Sequence, residues 1–97
     1  MLIKAGVDIS RLNRPIRRAL NKIRKCCLAF NEELVITSTF EANHSASSLH
    51  YANDAIDIRN PKSNNATFLQ LLSNSLGKDF DVVQEKDHIH IEYDPQG

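Results

Sequence analysis

The spacing of apolar residues in the first third of the chain predicts an amphipathic helix over residues 13–30. Apolar side chains recur there at steps of three and four, at Leu12, Ile16, Leu20 (or Ala19), Ile23, Cys27 and Phe30. Ser10 or Asn13 can cap this helix, and Pro15 lies early in it, where a missing N–H is tolerated.

The outer side of the same helix is basic, with Arg14, Arg17, Arg18, Lys22, Arg24 and Lys25. Such a face could hold an anionic polymer such as a cell wall or nucleic acid. Charged residues on the outside of a helix are more often simply solvated, and over the whole chain twelve basic residues balance twelve acidic ones. We therefore expect a solvated face and no nucleic-acid partner.

The middle of the chain predicts two strands joined by a loop. Residues 34–40 are rich in β-branched residues, residues 41–49 have the composition of a loop, and residues 55–58 alternate between the two faces of a second strand. Residues 60–65 form a turn.

The last third of the chain predicts a second helix followed by a β-hairpin. The helix has its apolar stripe at Phe68, Leu69, Leu71, Leu72 and Leu76, and Gly77 ends it. The hairpin strands cover residues 80–83 and 88–93. The order of elements predicts an α+β fold in which two helices pack on one face of a small, mainly antiparallel sheet. Ninety-seven residues predict a single domain, 1–97.

Targeting and redox signals are few. The apolar runs fall short of the roughly 20 residues that span a membrane, and the N-terminus has no signal-peptide pattern. We therefore expect synthesis and retention in the cytosol, unless another system exports the protein. Cys26 and Cys27 are adjacent and face about 100° apart on a helix, so we expect small apolar fillers in a reduced protein.

Polar residues gather on one face of the predicted strands. In 88–93, His88, His90 and Glu92 alternate with Ile89, Ile91 and Tyr93, and in 55–58 Asp57 alternates with two isoleucines. The side of the sheet away from the helices should therefore carry these polar groups. Two imidazoles, with His50 coming from the loop, and one carboxylate suffice for a three-ligand zinc site with an open position. Asp87 could act as the base, which suits metal-assisted hydrolysis.

Two motifs carry a family resemblance over about residues 33–93. Ser48-x-His50-x-x-Asn53-x-Ala55-x-Asp57 resembles the SxHxxGxAxD motif of the zinc D-alanyl-D-alanine carboxypeptidase family, the M15 peptidases. Asp87-His88-Ile89-His90 resembles the second motif of that family. The hedgehog signalling domain, which shares the fold and the zinc site, is similar over parts of both runs. The resemblance implies one zinc ion held by His50, Asp57 and His90, with Asp87 as general base.

The chain departs from the family pattern at two positions. Asn53 replaces a glycine, and asparagine tolerates the left-handed conformation better than most residues. Glu41 replaces an arginine that in the family helps to bind substrate and to stabilise the oxyanion. Arg59, Lys86, His44 or His88 are the candidates to take over that role.

Two further side chains are candidates for substrate binding. Ser48 either touches the substrate or organises the loop, and His88 shares the site face and contacts either the substrate or a zinc ligand.

Two functional classes follow from the sequence. The first is a zinc peptidase, expected as a monomer, that hydrolyses peptidoglycan stem peptides as a D,D-carboxypeptidase or an endopeptidase. Its small size and missing export signal favour a phage lysis enzyme, which would reach the cell wall during lysis. The second is a non-catalytic zinc-binding module of the same fold, acting as a structural or binding protein, for example in a virion. Glu41 favours the second class, whereas the intact ligand set and Asp87 favour the first.

Overall fold

A computed structural model describes residues 1–39, 54–62 and 65–95. Within these ranges two helices and five strands alternate as β1 (Leu2–Ile3), α1 (Arg14–Ala29), β2 (Val35–Ser38), β3 (Ala55–Arg59), α2 (Asn65–Leu76), β4 (Phe80–Gln84) and β5 (His88–Tyr93). The predicted α+β class is confirmed. The predicted helices and strands are all present, most with bounds shifted by one or two residues.

The five strands form one mixed sheet in the order β1-β2-β3-β5-β4. β1 runs parallel to β2, and the other three pairings are antiparallel. β1 was not predicted, because a two-residue strand has no alternation to detect. It nevertheless extends the sheet at one edge, so the sheet has one parallel pairing beside the antiparallel hairpin and its neighbours.

The core lies between one face of the sheet and the two helices. Ile56 and Ile58 of β3 and Ile89 and Ile91 of β5 are at most 1% exposed. They pack with the apolar stripes of α1 and α2, including Ile16, Ile23, Phe68 and Leu72. Every second residue of these strands therefore faces the helices, and the residues between them face away, as the alternation predicted.

Helix α1 begins at Arg14, with Asn13 in the N-cap position and Pro15 in the first turn. Asn13 makes no side-chain capping hydrogen bond. Its Nδ2 instead donates to Oδ1 of Asp54, 2.8 Å away. Because Asp54 immediately precedes β3, this contact ties the start of the helix to the start of that strand.

The basic residues of α1 are all exposed, on the side opposite its buried stripe. In the described ranges none of them forms a salt bridge. Arg17 donates to the backbone oxygens of Ser10 and Leu12, which braces the segment before the helix.

Cys26 and Cys27 are buried free thiols in the core, as expected for a reduced protein. Burial, followed by the charges of Cys26 and of Glu32 and Glu33, raises the pKa of Cys27 to about 11. At neutral pH this thiol is therefore protonated and unreactive.

Candidate functional site

Asp57 and His90 face each other across the two central strands. They are direct partners in the antiparallel register of β3 and β5. Oδ1 of Asp57 lies 3.0 Å from Nδ1 of His90, and their side chains are 12% and 20% exposed. Ile56, Ile58, Ile89 and Ile91 turn to the core beside them, so the pair lies on the open face of the sheet.

A β-bulge in β2 lies next to Asp57. Ile36 pairs with Ile58, whereas Ser38 pairs with Asp57, so β2 carries one extra residue at this point. The extra residue is Thr37, whose Oγ1 donates to the backbone oxygen of Asp57 at 3.3 Å. Bulges often occur beside functional sites, where they re-aim a side chain or end the pairing. Here the bulge and its threonine hold the backbone of Asp57 from the side opposite His90.

The second ring nitrogen of His90 contacts Glu92. Nε2 lies 2.9 Å from Oε1 of Glu92, whose side chain is 19% exposed. The protonated ring can donate to both carboxylates at once. The hydrogen bond to Asp57, opposed by burial and supported by the bond to Glu92, raises the pKa of His90 above its ordinary value.

His88 and Asp87 continue the polar face toward the hairpin bend. Asp87 lies in the bend that directly precedes β5, and its side chain is 86% exposed. Its Oδ1 is 2.7 Å from Nδ1 of His88, and this hydrogen bond lowers the pKa of Asp87. Nε2 of His88 lies 3.8 Å from Oδ2 of Asp57. His88 thus bridges the bend carboxylate and the strand carboxylate, and Asp87 is ionised at neutral pH.

A shallow groove runs from this cluster toward the edge of the sheet. It has a volume of about 280 Å³ and is lined by Lys4, Thr37, Ser38, Asp57, Asp87 and His88. Asp57 and Asp87 therefore open onto one space, although Asp57 lies in β3 and Asp87 in the bend before β5.

The structure brings together four of the residues that the sequence singled out, Asp57, Asp87, His88 and His90. The predicted ligand His50 and the predicted substrate contact Ser48 lie outside the described residues, and so do Glu41 and His44. Within the described ranges, no group of three His, Cys, Asp or Glu side chains has the arrangement of a metal site. The two described candidate ligands, Asp57 and His90, are one short of the predicted set.

Sequence reasoning assigned no role to two side chains that the structure places at the site. Glu92 had the necessary signal, because it shares the face of His90 two residues away. Lys4 had none, because it follows the unpredicted strand β1 and is more than forty residues from both motifs.

The family model for peptidase M15 matches residues 2–92 of the chain. This span covers both motifs and every strand of the sheet except the last residue of β5, Tyr93. No curated protein and no solved structure shows significant similarity to the chain. Across the described residues, neither helix is long and apolar enough to cross a membrane.

Proposed function

Because the chain belongs to the M15 peptidases, a family of metallopeptidases that generally depend on zinc, we propose that it is a zinc-dependent peptidase that hydrolyses peptide bonds of peptidoglycan stem peptides. The observation that carries this proposal is the convergence of Asp57 Oδ1 and His90 Nδ1 on the open face. One oxygen and one nitrogen ligand atom are already adjacent there, on two hydrogen-bonded strands.

The chemistry of these groups fits a zinc ion. Metal-binding histidines almost always use the second ring nitrogen to donate to a carboxylate, a carbonyl or water. His90 has this arrangement, with Nε2 on Glu92 and Nδ1 turned toward Asp57. We assign Nδ1 of His90 and the carboxylate of Asp57 as two ligands, and His50 as the third by its place in the motif. Three protein ligands leave a fourth position for water or substrate.

Zinc, when bound, brings the pKa of a coordinated water down to about 7 and polarises the scissile carbonyl. The side chain of Asp87 accepts the proton of the attacking water and later gives it to the leaving amine. His88 donates to Asp87 and keeps that carboxylate turned toward the groove that it shares with Asp57. In this assignment His88 orients the base, and Ser48 belongs to the substrate-binding loop.

Incubation of the purified protein with peptidoglycan and zinc, followed by mass analysis of the released fragments, tests the proposal. A peptidase releases stem-peptide fragments or free D-alanine in proportion to enzyme. Asp87→Asn should lower this release by about 10²-fold or more while zinc stays bound. Glu85→Gln is the matched control, because Glu85 is the other carboxylate before β5. Bound zinc without any fragment release from the wild type would establish the non-catalytic module instead.

A further inference from the structure

The groove beside Asp57 contains one strongly basic side chain, Lys4. Among the described residues that line it, Lys4 is the sole lysine or arginine. We propose that Lys4 binds the C-terminal carboxylate of the substrate peptide, so that the protein removes a terminal residue rather than cutting within a chain. This proposal rests on the proposed function and names the kind of peptide that the site accepts.

The backbone fixes Lys4 at the edge of the groove. Its N–H donates to the backbone oxygen of Ile36 at 2.9 Å, continuing the parallel pairing in which Ile3 is the partner of Ile36. Lys4 therefore lies one step beyond the last pair, beside Thr37 and its bulge. Two strand spacings, about 10 Å, separate its backbone from β3. The four-carbon stem of lysine is long enough to span much of that distance, and Lys4 lines the groove.

The charges around the groove make Lys4 the natural anchor for an anion. Asp57 and Asp87 are carboxylates, and His88 is hydrogen-bonded to Asp87. The hydroxyls of Thr37 and Ser38 donate to backbone oxygens of the protein. In the described ranges Lys4 takes part in no salt bridge. Among the described residues that line the groove, Lys4 is the charge-assisted donor that does not already belong to a carboxylate of the site, so an entering carboxylate can bind there.

The position of Lys4 also offers a replacement for the substrate-binding arginine of the family, where this chain has Glu41. The family arginine expected at that point would supply a cation three residues after the last residue of β2 in the sequence. Lys4 supplies a cation beside β2 from the neighbouring strand instead. A peptide bound with its last carboxylate at Lys4 extends along the groove toward Asp57 and His90. An internal segment of a longer chain would bring an uncharged amide to the ammonium and leave that charge without a partner.

Equilibrium binding to the zinc-loaded protein, followed by NMR, tests this inference with two small probes. The probes are acetyl-D-alanine, which has a free carboxylate, and its C-terminal amide. The variants are Lys4→Met, which keeps the length of the stem, and Lys4→Arg, which keeps the charge. Lys62→Met is the matched control, because Lys62 is an exposed lysine that lines a different groove.

We expect the wild type and Lys62→Met to prefer the acid over the amide by roughly 10- to 100-fold, the scale of a charge-assisted hydrogen bond. Lys4→Met should lose this preference, and Lys4→Arg should keep most of it. A wild type without preference, or a Lys4→Met variant that retains it, overturns the inference. Turnover of acetyl-D-Ala-D-Ala, measured in parallel, decides the proposed function separately. A protein that binds zinc and prefers the acid through Lys4, but turns over nothing, is a binding module with this specificity.

Discussion

The centre and the margin of the candidate site are built differently. At the centre, Asp57 and His90 lie on hydrogen-bonded strands and are mostly buried, and Glu92 holds the far side of the imidazole. At the margin, Asp87 lies in a bend and Lys4 follows a two-residue edge strand, and both are exposed. The contrast matches two chemical tasks. In the proposed assignment, metal ligands must hold fixed distances, whereas the proposed base and carboxylate anchor meet a substrate that arrives from solution.

Removing a central ligand should have the largest effect. Wild-type protein purified without added metal should contain close to one zinc per chain, and His90→Ala or Asp57→Ala should lose most of it, because two remaining ligands hold zinc poorly. Elemental analysis of the folded variants measures this directly. Full zinc retention in both His90→Ala and His50→Ala would contradict the ligand assignment.

Substitution of Asp87, the proposed base at the margin of the site, should separate catalysis from metal binding. Asp87→Ala should keep its zinc and its fold and should lose hydrolysis by about 10²-fold or more, the usual scale for a positioned general base. The measurement is kcat on a D-Ala-D-Ala-terminated peptide together with zinc content. If this variant cleaves at the wild-type rate, another group is the base, and Glu85 is the first to examine.

Glu92 belongs with the centre, so its loss should weaken zinc binding rather than the proton transfer. Glu92→Ala should lower zinc affinity by about 10- to 100-fold, the usual scale for a carboxylate that orients a ligating histidine. Glu92→Gln, which still offers an oxygen to Nε2, should recover part of the loss. Competition with a coloured chelator gives the affinities, and Asp81→Asn, on the neighbouring strand opposite Glu92, is the control. Equal zinc affinities in the wild type and the three variants would show that Glu92 does not support zinc binding.

The smallest effect concerns the pH dependence of the metal-free protein. The pKa of His90 is raised in the folded state, chiefly by Asp57, so the protonated ring stabilises the fold. This stabilisation is fully present below the unfolded pKa of about 6.5 and is lost as pH rises through the higher folded pKa. Urea midpoints without zinc should therefore fall over that window in the wild type and less in His90→Gln. A wild-type midpoint that rises over the same window contradicts the assignment.

Much of the centre could be predicted from the sequence, and little of the margin. Strand alternation placed Asp57, His88 and His90 on one face, and the register of β3 and β5 then made Asp57 and His90 direct partners. The resemblance supplied roles for these residues, and the match to the M15 family confirms the family. Asp87, which directly precedes the predicted strand 88–93, lies in the bend before β5.

The remaining features depend on contacts between segments that are distant in sequence. The bulge at Thr37 exists only in the pairing of β2 with β3. The place of Lys4 depends on a parallel edge strand of two residues, too short to show a period. Asn13 has the composition of a helix cap, yet its amide bonds Asp54, forty-one residues away. The bulge, the position of Lys4 and the hydrogen bond of Asn13 are determined by tertiary packing, which outweighs local sequence preference.

With zinc bound as proposed, the two buried cysteines should affect how the metal is distributed between the folded and the unfolded chain. An unfolded chain exposes two adjacent thiols, which are soft ligands that compete well for this metal. Folding encloses both in the core and raises the pKa of Cys27 to about 11. Folding therefore makes the two thiols inaccessible, while the imidazole of His90 and the carboxylate of Asp57 come together on the other face of the sheet. Zinc bound to the thiols of the unfolded chain should oppose folding, since ligands that bind the unfolded state stabilise it. Refolding in the presence of a chelator, with zinc added afterwards, should prevent zinc from binding to the thiols of the unfolded chain.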